Sequence, residues 1–153
     1  MYDPKFIFTA AELLVSKLPT PYVQIGACED AGVSLGLAMS TIMGKPLLSI
    51  KKERKVYGLY NFSEGPIMGL PVLLVDDLAG SQTTLRKSQQ VLKAFNIPVA
   101  AEYVTLINKT QGTHDAYLND RQLISLFTCD DFAMTWQQYV DKHGYEPKFG
   151  AHF

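Results

Sequence analysis

Two adjacent carboxylates and the turn that follows them are the residues most able to do chemistry. Asp76 and Asp77 come directly after the apolar stretch 72–75, and the next small or polar residues are Gly80, Ser81, Gln82, Thr83 and Thr84. Carboxylates accept hydrogen bonds from sugar hydroxyls and can bind Mg²⁺, directly or through water. A short loop that enters a helix N-terminus offers unpaired N–H groups and a positive dipole end, which bind phosphate. Together these features predict a site for a phosphorylated sugar.

The elements around this motif must form a sheet that presents it at one edge. The stretch 71–75 is apolar without polar alternation, which is typical of a strand buried on both faces. Periodicity predicts helices over 4–18, 32–43, 83–95 and 128–143, and strands over 22–25, 46–50, 71–75, 99–107 and 123–127. This alternation predicts an α/β fold with a central, mostly parallel sheet flanked by helices, which binds ligands at its carboxyl edge.

Particular residues predict where these elements begin and end. Asp3 and Pro4 are suited to cap and start the first helix, and Gly44 is suited to end the second. Gly26 is predicted to end the first strand. The apolar side of the helix over 83–95 is predicted to consist of Leu85, Val91, Leu92 and Phe95. Segment 51–66 is polar and basic without a clean period, which predicts a loop.

Composition narrows the class of protein. A chain of 153 residues with 47% apolar and 19% charged residues is predicted to fold as one domain over 1–153. Because 14 basic residues face 15 acidic ones, the net charge of −1 does not favour coating nucleic acid or an anionic membrane. No apolar run approaches the ~20 residues of a membrane span. Two cysteines are too few for a disulfide framework, so we expect a cytoplasmic protein.

Simpler interpretations stand beside the sugar-phosphate site. The acid pair and turn could be an ordinary strand-to-helix connection with surface acids. An apolar strand ending in two acids also opens phospho-acceptor receiver domains, but there it lies near the start of the chain and here it lies in the middle. Cys28, in the predicted loop after the first strand, is either a reactive thiol near an anion site or a small loop residue.

The motif and its neighbours resemble a known family. A hydrophobic strand, Asp76 and Asp77, a small-residue loop, a threonine and a helix are similar to the phosphoribosyl-diphosphate (PRPP) signature of type I phosphoribosyltransferases. Other segments resemble the orotate branch: 25–35 its pyrophosphate loop and following helix, 44–58 its Gly-Lys-Pro and basic stretch, 63–65 its Glu-Gly, and 106–112 its base-side segment. The resemblance covers about 6–139.

The resemblance implies a fold, a reaction and roles for residues. It implies Mg²⁺-dependent transfer of the phosphoribosyl group from PRPP to a nucleobase, orotate or a related pyrimidine first, with release of pyrophosphate. Asp76 and Asp77 would hold the ribose hydroxyls and Mg²⁺ and favour the developing oxocarbenium charge. Residues 80–84 would hold the 5′-phosphate, and Lys109 would face the base.

A cluster of basic residues precedes the acid pair and consists of Lys51, Lys52, Arg54 and Lys55. Cations that neutralise a departing pyrophosphate stabilise the transition state. A solvated charged loop is the other interpretation. The resemblance implies that Lys51 and Lys52 contact pyrophosphate and that Lys55 reaches in from a mobile loop, which in the family acts across a homodimer interface.

Several residues depart from the family pattern. Gln82 replaces the usual glycine of the phosphate loop, and Glu29 and Asp30 stand where pyrophosphate would lie. Tyr57 replaces a loop histidine and Lys109 an arginine. Little of the family's N-terminal hood precedes the first strand. These departures favour an alternative, a non-catalytic relative that binds PRPP or a nucleotide or serves as an interaction module.

Overall fold

A computed structural model describes residues 3–19, 23–51, 62–109, 121–133, 138 and 141–142. Their elements, in chain order, are α1 (Pro4–Ser16), β1 (Gln24–Cys28), α2 (Gly32–Met43), β2 (Leu47–Ile50), β3 (Ser63–Glu64), β4 (Val72–Ala79), α3 (Thr83–Ala94), β5 (Val99–Asn108), β6 (Gln122–Thr128) and a 3-10 helix (Cys129–Ala133). The predicted alternation of strands and helices is confirmed. Lys52, Arg54, Lys55 and Tyr57 lie outside the described residues.

The strands form one sheet in the order β3-β2-β1-β4-β5-β6. Every described pair is parallel except β2 with the short edge strand β3. The chain leaves β1 for β2 on one side and later returns to β4 on the other side of β1. The connections after β1 and β4 therefore diverge, and open α/β sheets form their ligand crevice at such a switch point.

The sheet is covered on both faces. On one face α1 and α2 pack in a cluster with Ile25, Leu73 and Val75, and on the other α3 packs with Leu48 and Leu74. Residues 72–75 of β4 are fully buried, which confirms the prediction of a strand enclosed by helices. The central strand can therefore hold polar groups only near its carboxyl end.

Two predicted helix ends are confirmed. Asp3 caps α1, where its carboxylate accepts a hydrogen bond from the backbone N–H of Lys5 at 2.9 Å, and Pro4 is the first helical residue. The second helix ends at Gly44, whose φ of 61° is the left-handed conformation that glycine adopts without a Cβ penalty. Within the described residues, no helix is both long enough and apolar enough to cross a bilayer.

Several predicted boundaries are wrong, and tertiary contacts explain them. Gly26 lies inside β1 instead of ending it, because the strand pairs with β2 and β4 beyond this residue. Glycine suits the position, since a Cβ there would be 2.3 Å from Val72 Cγ1. The fourth strand continues four residues past its predicted end at Val75, since its pairing with β5 extends to Ala79 and Asn108.

Other errors lie at the periphery. The two-residue strand β3 was not predicted, and it pairs Ser63 with Ile50 at the edge of the sheet. Phe95 is 49% exposed instead of facing the core, and its ring stacks on Phe62 at 4.1 Å. Thr128 ends β6, and a 3-10 helix follows where the last α-helix was predicted to begin. Residues 138 and 141–142 of that predicted helix are helical, and its residues 134–137, 139–140 and 143 lie outside the described residues.

Candidate functional site

A cleft of about 240 Å³ opens at the switch point, between the carboxyl ends of β1 and β4. Its lining residues come from three places: the loop after β1, the end of β4 and the turn into α3. They are Glu29, Asp30, Ala31, Asp76, Asp77, Leu78, Gly80, Ser81, Gln82, Thr83 and Thr84. The fold therefore brings together the acid pair, the small-residue turn and the two acids that sequence analysis placed at the pyrophosphate.

The cleft has two chemically different walls. The acidic wall consists of Glu29, Asp30, Asp76 and Asp77, and the hydroxyl wall consists of residues 80–84. The first offers only carboxylate acceptors, which attract cations or hydroxyl donors. The second is uncharged and leads into a helix N-terminus, which attracts anions. A ligand that has both hydroxyls and phosphates matches the two walls.

The acid pair lies within β4 rather than after it. Consecutive side chains of a strand point to opposite faces, and the two acids differ accordingly. Asp76 is 7% exposed, and its Oδ1 accepts the backbone N–H of Asp77 at 2.9 Å, whereas Asp77 is partly exposed. Asp76 is therefore fixed by the backbone, and Asp77 is the more accessible carboxylate.

The start of α2 packs directly against the acid pair. A Cβ on Gly32 would lie 2.7 Å from the carbonyl oxygen of Val75 and 2.9 Å from Cα of Asp76, both backbone atoms that cannot turn aside. Only glycine fits at this distance. The contact holds the loop after β1 close to the end of β4 and so sets the separation of the acids within the acidic wall.

The loop after β1 is also tied to β2. The hydroxyl of Ser49 donates to the Glu29 carboxylate at 2.7 Å, and the backbone N–H of Glu29 donates to Ile50 at 2.9 Å. The peptide bond between Glu29 and Asp30 is cis. Four carboxylates around one cleft favour a cation. No group of three or more His, Cys, Asp or Glu that could hold a metal by itself occurs in the described parts of the chain.

The acid geometry nevertheless fits Mg²⁺ in one particular way. Mg²⁺ usually binds through one or two protein carboxylates and completes its coordination with waters and substrate phosphates. Asp76 and Asp77 can supply one or two ligands, as can Glu29 and Asp30 on the same wall. A cation here would therefore arrive with a phosphorylated ligand.

The hydroxyl wall begins α3 in an unusual way. Gln82 occupies the N-cap position with φ 58°, and its side chain makes no capping hydrogen bond. The hydroxyls of Ser81 and Thr83 lie 2.9 Å apart and hydrogen-bond each other. Gln82 is only 3% exposed, and within the described parts of the chain neither its Oε1 nor its Nε2 has a hydrogen-bond partner. Sequence analysis noted Gln82 as a departure but gave no sign that its amide would be buried.

Lys51 and Lys109, the two predicted lysines that the structure describes, are not among the residues that line the cleft. Lys51 forms an ion pair with Glu64 at 2.7 Å. Lys109 is exposed, and its backbone N–H donates to the carbonyl of Ala79 at 2.7 Å, beside the end of β4. Lys52 and Lys55 lie outside the described residues.

Cys28 is neither a reactive thiol nor a loop residue. It ends β1 at 0% exposure, and its Sγ lies 3.4 Å from the hydroxyl of Ser88 on α3. Burial raises its pKa from 9.0 to about 12. Because the thiolate is the nucleophilic form, this cysteine is inert at neutral pH.

Comparison of the sequence with curated proteins finds orotate phosphoribosyltransferases. The enzyme of Nocardioides sp. is 27% identical over 113 residues, which are 73% of this chain and 63% of that protein. The enzyme of Methanococcus maripaludis is 28% identical over 136 residues, which are 86% of this chain and 74% of that protein. This chain thus spans less than two thirds of the Nocardioides enzyme's length. No family model matches the sequence.

Solved structures share the fold. Orotate phosphoribosyltransferase from Aeropyrum pernix superposes with a TM-score of 0.67 at 22% identity, covering 94% of this chain and 79% of that one. Adenine phosphoribosyltransferase from Thermoanaerobacter pseudethanolicus gives 0.67 at 21% identity, covering 82% of each chain. The Mycobacterium tuberculosis orotate phosphoribosyltransferase in complex with PRPP gives 0.62 at 15% identity, covering 83% and 74%. The chain has the type I phosphoribosyltransferase fold and is similar in sequence to orotate phosphoribosyltransferases.

Proposed function

We propose that this protein transfers the 5-phosphoribosyl group of PRPP to orotate or a related pyrimidine base and releases pyrophosphate. The observation that carries the proposal is the cleft at the switch point, where the acidic wall and the hydroxyl wall face one ligand-sized space. PRPP has ribose hydroxyls for carboxylates and phosphate groups for a helix N-terminus. The curated relatives named above are orotate phosphoribosyltransferases, which supports the choice of reaction.

The acid pair serves the sugar in this proposal. Asp77, the more accessible acid, accepts hydrogen bonds from the ribose hydroxyls and places negative charge near the ring. Asp76, fixed by the N–H of Asp77, supports that position from within the strand. Positive charge develops on the ribose ring as the bond between C1 and the pyrophosphate oxygen breaks. A carboxylate already in place stabilises that charge without reorganisation.

The turn into α3 serves the 5′-phosphate. Gly80, Ser81, Gln82, Thr83 and Thr84 supply backbone N–H groups and hydroxyls at the positive end of the helix dipole. A phosphate bound there fixes one end of the sugar. This positions C1 for attack by the base, and positioning of this kind lowers the entropy cost of the reaction.

The pyrophosphate would lie beside the loop after β1, where Glu29 and Asp30 require a cation between carboxylate and phosphate. Mg²⁺ held by Asp76 and Asp77 would supply that positive charge when PRPP is bound. Lys51, Lys52 and Lys55 are the candidate protein cations. For Lys51 to contact pyrophosphate, it must exchange its partner Glu64, which is 68% exposed, for the phosphate. A surface pair of this kind is weak enough to exchange.

The base and the assembly are the finer parts of the proposal. Lys109, next to the end of β4, is the candidate contact for the orotate carboxylate. The adenine enzyme shares the fold to the same degree as the orotate enzyme, so the orotate assignment depends on the sequence relatives. The homodimer and the cytoplasmic location stay predictions from the sequence.

The direct test is a turnover assay. The protein is incubated with PRPP, Mg²⁺ and one base at a time, and pyrophosphate release is measured for orotate, uracil and adenine. We expect release with orotate and loss of that release in Asp77→Asn. Asp130→Asn, which changes an exposed acid of the 3-10 helix, is the matched control. Turnover with adenine alone would contradict the base assignment, and no turnover with any base would contradict the transferase proposal.

A second candidate is a non-catalytic protein that binds PRPP or a nucleotide. The observation that favours it is Gln82, a buried side chain in the turn that is proposed to hold the phosphate. Calorimetry with PRPP and Mg²⁺ separates the candidates when it accompanies the turnover assay. Binding without pyrophosphate release from any base supports the second candidate.

A further inference from the structure

The amide of Gln82 is a buried polar group without a hydrogen bond. The side chain is 3% exposed, and neither Oε1 nor Nε2 has a partner among the residues that the structure describes. A buried amide without partners costs free energy, so each such group in a folded protein needs an explanation, and a functional role is one of them. The backbone also disfavours a glutamine here, because φ 58° is a conformation that glycine adopts more easily.

A similar amide elsewhere in the chain shows what a structural role looks like. Gln24 is also fully buried, yet its Nε2 donates to the carbonyl of Pro66 and its Oε1 accepts the N–H of Met68 at 3.1 Å. Both of its polar atoms are used to hold a neighbouring segment. Gln82 holds nothing comparable, so packing alone does not account for it.

The position of Gln82 points to a ligand as the missing partner. It lines the cleft, and it stands at the N-cap of α3, where the helix dipole and unpaired N–H groups attract an anion. The amide needs an acceptor for Nε2 and a donor for Oε1. A phosphorylated sugar has both, since its phosphate oxygens accept and its hydroxyls donate.

We infer that the Gln82 carboxamide is a specificity-determining contact of the cleft, which donates to a phosphate oxygen and accepts from a hydroxyl of a 5-phosphorylated ribose. This inference rests on the proposed function for the identity of the ligand. It adds a side-chain contact to a turn whose other groups are backbone N–H groups and hydroxyls. The binding of ligand would then remove the unsatisfied state of the amide.

The test compares wild type with Gln82→Met, which has similar length and volume but no hydrogen-bonding groups. The probe is ribose 5-phosphate, titrated calorimetrically without Mg²⁺, so that neither cation binding nor transfer contributes. We expect the affinity to fall at least about fivefold, the effect of losing one to two hydrogen bonds. Without ligand, the melting temperature of Gln82→Met should be unchanged or higher, because an unsatisfied amide has been removed.

Two further variants distinguish a ligand contact by the Gln82 side chain from a role in packing alone. Gln90→Met makes the same chemical change at an exposed site of the same helix and should leave ribose 5-phosphate affinity unchanged. Gln82→Gly relaxes the left-handed backbone, so it should stabilise the turn and still weaken binding. Equal or tighter binding by Gln82→Met or Gln82→Gly would overturn the inference and identify the side chain as a filler of the phosphate turn.

The outcomes also separate this inference from the proposed function. Gln82-dependent binding of ribose 5-phosphate without pyrophosphate release from PRPP would support the contact and contradict the transferase. Turnover of PRPP with Gln82-independent binding would do the reverse. Failure of wild type to bind ribose 5-phosphate and PRPP at all would overturn both.

Discussion

The two walls of the cleft face the same space, but they differ in charge and in how fully their polar groups are hydrogen-bonded within the protein. On the acidic wall, Glu29 is bonded to Ser49, and Asp76 to the backbone of Asp77. On the hydroxyl wall, Ser81 and Thr83 hydrogen-bond each other, and the Gln82 amide has no hydrogen-bond partner among the described residues. The first wall is fixed by the protein, whereas the second has capacity left for a ligand. Under the proposed function, a rigid surface would meet the sugar and an unsatisfied one would meet the phosphate.

The largest expected effect comes from neutralising the accessible acid. Asp77→Asn keeps the shape of the acidic wall but removes the charge that stabilises a cationic sugar, so kcat with PRPP and orotate should fall about 10²–10³-fold. The measurement is pyrophosphate release. Circular dichroism should show an unchanged fold, since Asp77 is partly exposed. A kcat within twofold of wild type would remove Asp77 from the mechanism and the acidic wall from the chemistry.

One added methyl group at Gly32 should change the distance between the loop after β1 and β4, which together form the acidic wall. Gly32→Ala places a Cβ 2.7 Å from the carbonyl oxygen of Val75, so the loop and β4 must separate. We expect a loss of about 1–3 kcal/mol in the free energy of unfolding, or about 3–10 °C in melting temperature. Gly80→Ala is the control, because a Cβ there has no atom within 4 Å. Equal melting temperatures for the two variants would show that the close contact is not retained in solution.

Removal of divalent cation should distinguish what the two walls contribute to ligand binding. Without Mg²⁺, the carboxylates of the acidic wall repel pyrophosphate, so the affinity for PRPP should fall at least about tenfold in the presence of EDTA. Ribose 5-phosphate has no pyrophosphate, and its affinity should change little. Calorimetry measures both. An equal loss for the two ligands would mean that the cation acts on the fold or on the hydroxyl wall instead.

Much of this arrangement can be predicted from local sequence, and the remainder depends on contacts between distant segments. The bounds of α2 and the burial of 72–75 follow from periodicity and from Gly44, because each is decided within one element. The position of Gly26 inside β1 depends on its pairing with Leu48 and Leu74, which are 22 and 48 residues away along the chain.

The candidate site divides in the same way. The residue types of both walls were predicted, because strand, acid pair and hydroxyl turn are adjacent along the chain. The burial of Gln82 was not, since it depends on the left-handed backbone at the start of α3. The pairing of Lys51 was missed for a similar reason. Its partner Glu64 belongs to β3, a strand of two residues that is too short to give a periodic signal.

The smallest expected effect concerns Cys28, which lies between the elements that carry the two walls. Cys28 precedes the acidic loop and contacts Ser88 on α3, behind the hydroxyl wall. Its folded pKa is about 12 against 9.0 unperturbed, so above pH ~9 the unfolded state releases a proton that the folded state keeps. Stability should therefore fall with rising pH by about 1.4 kcal/mol per pH unit from this group. Urea unfolding at pH 8, 9 and 10 measures the slope.

Cys28→Ala should flatten that slope relative to wild type, whatever it does to stability at pH 8. Cys129→Ala is the matched control and should keep the wild-type slope, because Cys129 is only partly buried. Parallel slopes for wild type and Cys28→Ala would show that the thiol is not enclosed as the structure has it.

The close approach of α2 to the central strand has a consequence for how such a site can diversify. Gly36 leaves no room for a Cβ beside Ala27, where the nearest atom would be 2.6 Å away, and Gly32 does the same one turn earlier. At Gly32, which lies nearer the cleft, the nearest atoms met are main-chain atoms of β4, so the approach there is one of main chain against main chain. Side chains that project into the cleft can be exchanged to suit a new substrate while the width of the opening stays constant, so long as these glycines are kept.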